Sequence, residues 1–338
     1  MANINCEARS RADAEAGSCG ETAAVGEQCQ VLGQVVQDVA DALERAGVWF
    51  GHGTDNAWDE ACWLTAAALE LDPGQPLEGD KTISSTQRQT VDHWLQRRIE
   101  TREPMAYMTG EAWFAGLRFE VNASVLIPRS PIAELIADGL PLWPLAAGDR
   151  VLDLCTGSGC IAIAIALRFP DVQVAASDLS SQAVAVARRN VAAHGLLERC
   201  KVVEGHLFEP VSGTYRLIVS NPPYVSDAEY EQLPAEYRHE PGMALRCDGE
   251  GLDLPLKILH DAPDYLTSDG HLILETGNSA AALEELLGTI LAPLRPAEAL
   301  TWLSFEYGGG GVAAISAHDL ARWQPALAKA IGGARHVQ

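Results

Sequence analysis

The chain has 338 residues, 47% of them hydrophobic, enough to bury a full core as one large or two modest domains. Its formal net charge of -22 sets most of the surface against nucleic-acid phosphates, so sequence-specific nucleic acid binding is not expected and a basic partner is favoured. Eight cysteines include no C-x-x-C pair and no zinc-like spacing, which fits a reduced, cytoplasmic setting without a metal. The N-terminus has no apolar signal core, and the longest apolar run, "CIAIAIAL" (160–167), is too short to cross a membrane.

Residues 1–30, rich in Ala, Glu, Gly and Ser without apolar periodicity, read as a disordered tail. Over 31–105 the pattern is helical. Val31, Val35, Val39 and Leu43 fall four apart on one face with Gly47 as a stop, and "DEACWLTAAALEL" and "STQRQTVDHWLQRRIETRE" predict two further helices around a Pro/Gly loop at 72–80. At 106–127 aromatic and β-branched residues around Gly110, Gly116 and Asn122 predict a short hairpin linking this domain to the next.

From 128 to 338 the rhythm is α/β. Strand candidates at 150–154, 172–177, 201–204, 216–220 and 271–275 alternate with helical stretches and are apolar on both faces, which predicts a doubly wound sheet covered on both sides. The segment "LTWLSFEYGGGGVAAIS" adds an antiparallel pair around a turn at Gly308–Gly311.

In "RVLDLCTGSGCIAIAIALRF" a strand runs through Asp153 into Cys155, Thr156, Gly157, Ser158 and Gly159, ahead of a helix of small residues. Glycines there let the chain turn sharply and let a ligand approach the main chain at a helix N-terminus. Ala162 occupies the third position of the dinucleotide fingerprint, so spacing alone admits a dinucleotide. Charge separates the candidates. A carboxylate at Asp153, at the mouth of the loop, repels a pyrophosphate and suits a cationic ligand, while Asp178 at the end of the next strand can accept from both ribose hydroxyls. A nucleoside with positive charge and no phosphate describes S-adenosylmethionine. The alternatives are a plain tight turn, a solvated strand-end carboxylate and an Asp178 that merely caps the following helix.

The strand candidate at 216–220 ends in Asn221-Pro222-Pro223-Tyr224. Two prolines fix the backbone and withhold N–H groups, leaving acceptors exposed: the Asn221 side-chain oxygen and the Pro222 carbonyl. A planar amide or aromatic amine presents two N–H donors that this pair can accept together, with Tyr224 as a flat face beside it. Such acceptors would align the nitrogen lone pair with an electrophilic methyl and stabilise the developing positive charge, so positioning and electrostatics can carry the chemistry without a strong general base.

Four stretches, "LIPRSPIAELI" (126–136), "VLDLCTGSGCIAIA" (151–164), "SNPPYVSD" (220–227) and "LPAEYRHEPGMAL" (233–245), resemble the class I methyltransferases that modify protein glutamine. The "RSPIAEL" and "CTGSGC" forms are similar to the branch acting on large-subunit ribosomal protein L-three. The release-factor branch more typically reads Pro-Arg-Pro-Asp-Thr-Glu and Leu-Gly-Thr-Gly-Thr-Gly there. The resemblance implies a Rossmann-like S-adenosylmethionine-dependent domain over 128–338, a substrate-recognising helical domain over 31–105, and a ribosomal protein, hence a basic protein, as substrate. It further implies that Cys155–Gly159 wrap the methionine part of the cofactor, Asp178 holds its ribose, Leu207 touches its adenine, and Asn221–Tyr224 receive the glutamine. The adenine-lining segment usually carries Asp where this chain has His206, which reads here as a surface histidine. Arg129 either contacts the cofactor carboxylate or the substrate backbone, or braces its loop; Glu240 and His239 follow the motif without a derivable role.

The same corner could hold the exocyclic amine of a nucleic-acid base. The acidic balance and the absence of a basic, aromatic-interleaved segment argue against it. A non-catalytic adaptor would show damage at Gly157, Gly159, Asp178 or Asn221, and all four are intact.

Overall fold

The computed structural model describes residues 29–72, 75–294, 300–306 and 309–334. Of the tail expected over 1–30, positions 1–28 lie outside the described residues, as does Gly308 of the expected C-terminal turn. The chain forms two compact units that divide between Gly110 and Glu111.

The first unit contains β1 (Gln30–Val31), α1 (Leu32–Arg45), α2 (Ala57–Ala68), β2 (Thr82–Ile83), α3 (Ser85–Thr101) and α4 (Met105–Thr109). Helix α1 buries Val35, Val36, Val39 and Leu43 and stops before Gly47, whose φ of 61° suits glycine. Asn56 caps α2 by accepting from the Asp59 N–H, and Ser84 with Gln87 forms a capping box on α3. The guanidinium of Arg102 donates to the carbonyls of Ala46 and Gly47, placing a cation at the C-terminus of α1. Inside the unit, Arg98 of α3 is 0% exposed and pairs at 2.8 Å with Glu60 of α2, which is 3% exposed. Glu60 also accepts from Thr54 Oγ1, and Arg98 donates to the Trp49 carbonyl.

The second unit opens with an antiparallel hairpin, β3 (Glu111–Phe114) and β4 (Leu117–Glu120). Its two-residue turn puts Ala115 and Gly116 at φ 49° and 75°, the left-handed pair that matches strand twist. The pair is shorter than the 106–127 expectation because Met105–Thr109 close into a helical turn ended by Gly110 at φ 76°. There follow α5 (Ile132–Ala137), β5 (Arg150–Leu154), α6 (Cys160–Arg168), β6 (Gln173–Asp178), α7 (Ser181–Ala193), β7 (Cys200–Glu204), β8 (Tyr215–Ser220), α8 (Asp227–Tyr230), α9 (Asp248–Gly251), α10 (Asp253–Asp261), β9 (Leu266–Glu275), α11 (Ala280–Leu291), β10 (Thr301–Trp302), β11 (Val312–Ser316) and α12 (Ala317–Ala334). Among the described residues, no helix is long and apolar enough to cross a membrane.

One seven-stranded sheet has the order β10-β11-β9-β8-β5-β6-β7. Strands β5 to β9 run parallel, while β11 pairs antiparallel to β9 and β10 antiparallel to β11, so the doubly wound class and the C-terminal antiparallel pair are both present. Alternation along the strands assigns each side chain to a layer. Val151, Leu217, Val219, Ile273 and Val312 join the core with α5, α6 and α7, whereas Leu152, Leu154, Ile218, Leu272 and Leu274 join that with α10, α11 and α12. The chain leaves β5 toward β6 on one side and returns to β8 on the other, so the strand order reverses between the parallel neighbours β5 and β8. A crevice opens at such a switch point beyond the carboxyl ends of the strands.

The buried pair in the first unit generates a stability prediction. Arg98→Met leaves the Glu60 charge buried without its cation and should cost about 3–5 kcal/mol by chemical denaturation. Adding Glu60→Leu to that variant should restore most of the loss, because an apolar pair replaces a buried charge that has lost the Arg98 cation.

Candidate functional site

A cavity of about 630 Å³ opens at this switch point and is lined by Cys155, Gly157, Asp178, Leu207, Asn221 and Pro223, among others. The loops following β5, β6, β7 and β8 build it, together with the stretches at 124–126 and 241–248.

The loop after β5 carries three left-handed residues, Cys155 at φ 58°, Gly157 at 56° and Gly159 at 81°. The two glycines do different work. A Cβ on Gly157 would meet no atom within 4 Å, so its main chain faces the open cavity. A Cβ on Gly159 would lie 3.2 Å from the Ala187 Cβ, so this glycine lets α6 pack closely on α7. Cys155 is a non-glycine residue in a sparsely populated conformation at the cavity wall, a form of strain concentrated at functional sites. Its thiol is pushed far up by burial and by the nearby Asp178 and Asp153, so it is a neutral lining group and not a nucleophile.

Asp153 is placed differently from the expectation. Strand parity turns it to the same side as Val151, beneath the N-terminus of α6, where it is 1% exposed and absent from the cavity wall. Its Oδ2 accepts from Thr156 Oγ1 at 2.5 Å and from the Ala162 N–H at 3.2 Å, while Oδ1 has no hydrogen-bond partner. Burial raises its pKa to about 7. It is therefore the strut of the glycine loop, not a carboxylate at its mouth. Thr156 and Ser158 are likewise buried, and neither they nor Gly159 line the cavity. The Ser158 carbonyl accepts from Asn190 Nδ2, and that same side chain exchanges hydrogen bonds with both the N–H and the C=O of Glu120 on β4.

Asp178 ends β6 and reaches the cavity. Its Oδ2 accepts from the Gly157 N–H and its Oδ1 from the Ser180 N–H, both at 2.9 Å. These bonds fix its orientation and leave further lone pairs on each oxygen. Burial raises its pKa and the backbone donors oppose that shift. The helix cap proper is Ser180, which accepts from the Ala183 N–H. Leu207 sits at φ 48° with its carbonyl held by Ser177 Oγ, and its side chain lines the cavity. His206, part-exposed as a surface histidine would be, lines it as well; its Nδ1 lies 3.8 Å from a Glu209 oxygen.

At the corner after β8, Asn221 and Pro223 face the cavity while Pro222 is buried. Tyr224 does not form the expected flat wall. Its hydroxyl lies 3.4 Å from Glu275 Oε1, its carbonyl accepts from Ser279 Oγ at 2.7 Å, and it is absent from the cavity lining. Burial and the neighbouring Glu275 push its hydroxyl well above the ordinary tyrosine range, so it stays protonated.

Arg129 is a brace. Its guanidinium grips both oxygens of Glu240 at 2.6 and 2.8 Å and sits over the Tyr237 ring at 5.3 Å, away from the cavity wall. Glu240 in turn accepts from the Ile127 N–H. Together they tie the "RHEP" stretch to the "LIPRSP" stretch, whose Leu126, with the preceding Val125, does line the cavity. Sequence reasoning left Glu240 without a role and missed Asn190 and Glu275; for Glu240 a signal existed, an acid inside a motif of otherwise structural residues.

Comparison with known proteins adds to this geometry. A family model described as the methyltransferase small domain matches residues 134–295, and one described as the PrmC N-terminal domain matches residues 34–110. The chain is 46% identical over 258 residues to the ribosomal protein uL3 glutamine methyltransferase of Bordetella pertussis, covering 75% of this chain and 86% of that one. A protein of the same name from Xylella fastidiosa (strain Temecula1) is 42% identical over 303 residues, covering 88% and 94%. One from Francisella tularensis is 39% identical over 287 residues, covering 83% and 88%.

The buried strut carries a pH prediction. With Asp153 raised to about 7 from an ordinary 3.8, folding takes up a proton between these values, so its contribution to stability is complete below about pH 4 and declines as pH rises to about 7. Asp153→Asn is neutral throughout. Urea midpoints measured from pH 5 to 8 should show the variant gaining on the parent up to about pH 7 and holding a constant difference above it.

Proposed function

The chain belongs to the family of ribosomal protein uL3 glutamine methyltransferases, and from this we infer that it transfers a methyl group from S-adenosylmethionine to the side-chain amide nitrogen of a glutamine in that ribosomal protein. The observation that carries the reading is that Asn221 and Pro223, at the acceptor corner, and Asp178 and Gly157, at the nucleoside end, line one cavity. The side chains fit the cofactor. Asp178 is oriented with lone pairs to spare for ribose hydroxyls, the bare main chain at Gly157 leaves room for the methionine part, and Leu207 and His206 provide the adenine side.

When bound, S-adenosylmethionine supplies an electrophilic methyl on a positively charged sulfur. The protein's task is to present the amide nitrogen, a poor nucleophile because its lone pair is delocalised. Asn221, which faces the cavity, and the carbonyl of the otherwise buried Pro222 would accept the two N–H donors and turn the lone pair toward the methyl. Transfer of that methyl would leave the cofactor as a neutral thioether and the nitrogen positively charged, and the nitrogen would then give a proton to water. The same two acceptors stabilise that charge, so the corner acts through preorganised dipoles and no ionisable base is required. Asp153 and Arg129 act indirectly, by holding loops.

The helical first unit is read as the part that recognises the protein substrate, in keeping with its match to the PrmC N-terminal domain. The acidic surface, with a formal net charge of -22, suits a basic ribosomal protein. A ribosomal substrate supports a cytoplasmic setting.

Incubation with the cofactor should add a single methyl mass to uL3 from cells lacking the enzyme, and fragmentation should place it on a glutamine side chain. Label found in release factors or RNA would overturn the substrate. Asn221→Ala should lower turnover about 10²–10³-fold, as for loss of one preorganised group, while calorimetry shows cofactor affinity largely kept. A near-normal rate would refute the acceptor-pair mechanism.

A further inference from the structure

Glu275, the last residue of β9, is 4% exposed and is not among the residues lining the cavity. Its two oxygens nevertheless serve two parts of the site. Oε2 accepts from Ser130 Oγ, and Oε1 lies 3.4 Å from the Tyr224 hydroxyl. Ser130 Oγ also accepts from the Ile132 N–H and so starts α5. One carboxyl group thus joins the "LIPRSP" stretch to the Asn-Pro-Pro-Tyr corner.

The Tyr224 ring is backed by main chain. A Cβ on Gly277, at φ 46°, would lie 2.6 Å from the ring, so the ring rests on a bare peptide. Behind Gly277 stands Gly311, at φ 69°, where a Cβ would come within 2.7 Å of three Gly277 backbone atoms. The Gly311 carbonyl accepts from the Thr276 N–H at 2.7 Å, and a Cβ on Gly309 would meet Pro131 at 3.0 Å. Gly309 and Gly311, which the sequence offered only as part of a turn, are therefore spacers that let this layer close up behind Tyr224.

We propose that Glu275 is a positioning residue for methyl transfer, acting through Tyr224: with the Gly277–Gly311 backing it fixes the tyrosine, and the tyrosine fixes the rigid Asn221–Pro223 acceptors that precede it. The reasoning is geometric. Two prolines make the corner stiff, so a displacement at Tyr224 is carried to Asn221 instead of being absorbed between them. The 3.4 Å hydroxyl contact is long for an O–H···O bond, and bonds of this kind often tighten only once a substrate is in place. A carboxyl buried this deeply, raised to about 7 mainly by burial, is costly to keep unless the positions of its partners matter.

The proposal rests on the methyl-transfer reading above, and its test includes a readout independent of activity. In the full chain, Glu275→Ala should lower kcat about 10²-fold, the scale of a misplaced reacting group, with the KM for S-adenosylmethionine changed less than about threefold. Glu275→Gln, which still offers one acceptor and one donor to the two hydroxyls, should recover most of that loss. In a Tyr224→Phe background Glu275→Ala should add little, since residues acting as a unit are not additive. Crystal structures should show the tyrosine ring moved off Gly277 in Glu275→Ala and in place in Glu275→Gln. A Glu275→Ala enzyme with kcat within about twofold of the parent overturns the proposal. So does a loss that multiplies fully with that of Tyr224→Phe, or a Tyr224 ring unmoved in the Ala variant. If the Ala variant does not fold, Ser130→Ala and Glu275→Gln are measured by the same criteria, and a Gln variant as poor as Tyr224→Phe with its ring in place is equally contrary. Inactivity of the parent enzyme on uL3 would instead count against the substrate reading, and the crystallographic arm would still decide the positioning.

Discussion

Carboxyl groups hold the loop after β5, the "LIPRSP" and "RHEP" stretches and the corner after β8, and the geometry of the cavity depends on these few anchors. Asp153 holds the loop after β5 through Thr156 and Ala162. Asp178 holds it again through Gly157. Glu240 ties the "RHEP" stretch to Ile127 and Arg129, and Glu275 joins Ser130 to Tyr224. Loops cannot share the sheet's ladder, so their backbone and hydroxyl donors must find acceptors elsewhere. Carboxyl groups at strand ends supply two acceptor oxygens each within a low-dielectric setting where hydrogen bonds are strong.

The same economy explains the perturbed acidities. Asp153 and Glu275 are both pushed to about 7, chiefly by burial. A group shifted in this way inside a cleft invites a catalytic assignment. Here the alternation of the strands argues otherwise, since Asp153 shares the face of Val151, and Glu275 that of Ile273, which packs on the α5–α7 side. Both act on loops. At the reacting corner the ionisable side chain, Tyr224, is kept protonated by burial and Glu275, which agrees with a reaction whose demand is alignment and dipole stabilisation.

Much of this was legible from residues alone. Apolar runs bounded by Asp and Gly located β5 and β6, and the Pro-Pro step located the end of β8, because each is a local signal. Asp178, Gly157 and Asn221 could be named because chemistry at strand ends has a direction. The misplaced readings share one cause. Whether Asp153 faces ligand or core, and whether Tyr224 faces substrate or Glu275, depends on parity and on partners about 50 or more residues away, such as Glu275 for Tyr224. Glu240 and Glu275 looked like ordinary acids for the same reason. Helix α12 was not anticipated, and Pro325 inside it is a poor advertisement for a helix. The polar start of β9, Thr267 to Gly270, hides a strand whose exposed end carries no alternation.

Asn190 has a wider consequence. Its side-chain amide donates to and accepts from the backbone of Glu120 as a neighbouring strand would, while its second donor reaches Ser158 in the glycine loop. One side chain thus stands in for a peptide group and seals part of the open edge of a two-stranded ribbon, an edge that would otherwise invite pairing with another chain. The covering of the hairpin edge and the set of the glycine loop hang on the same amide, so a change that disturbs one disturbs the other.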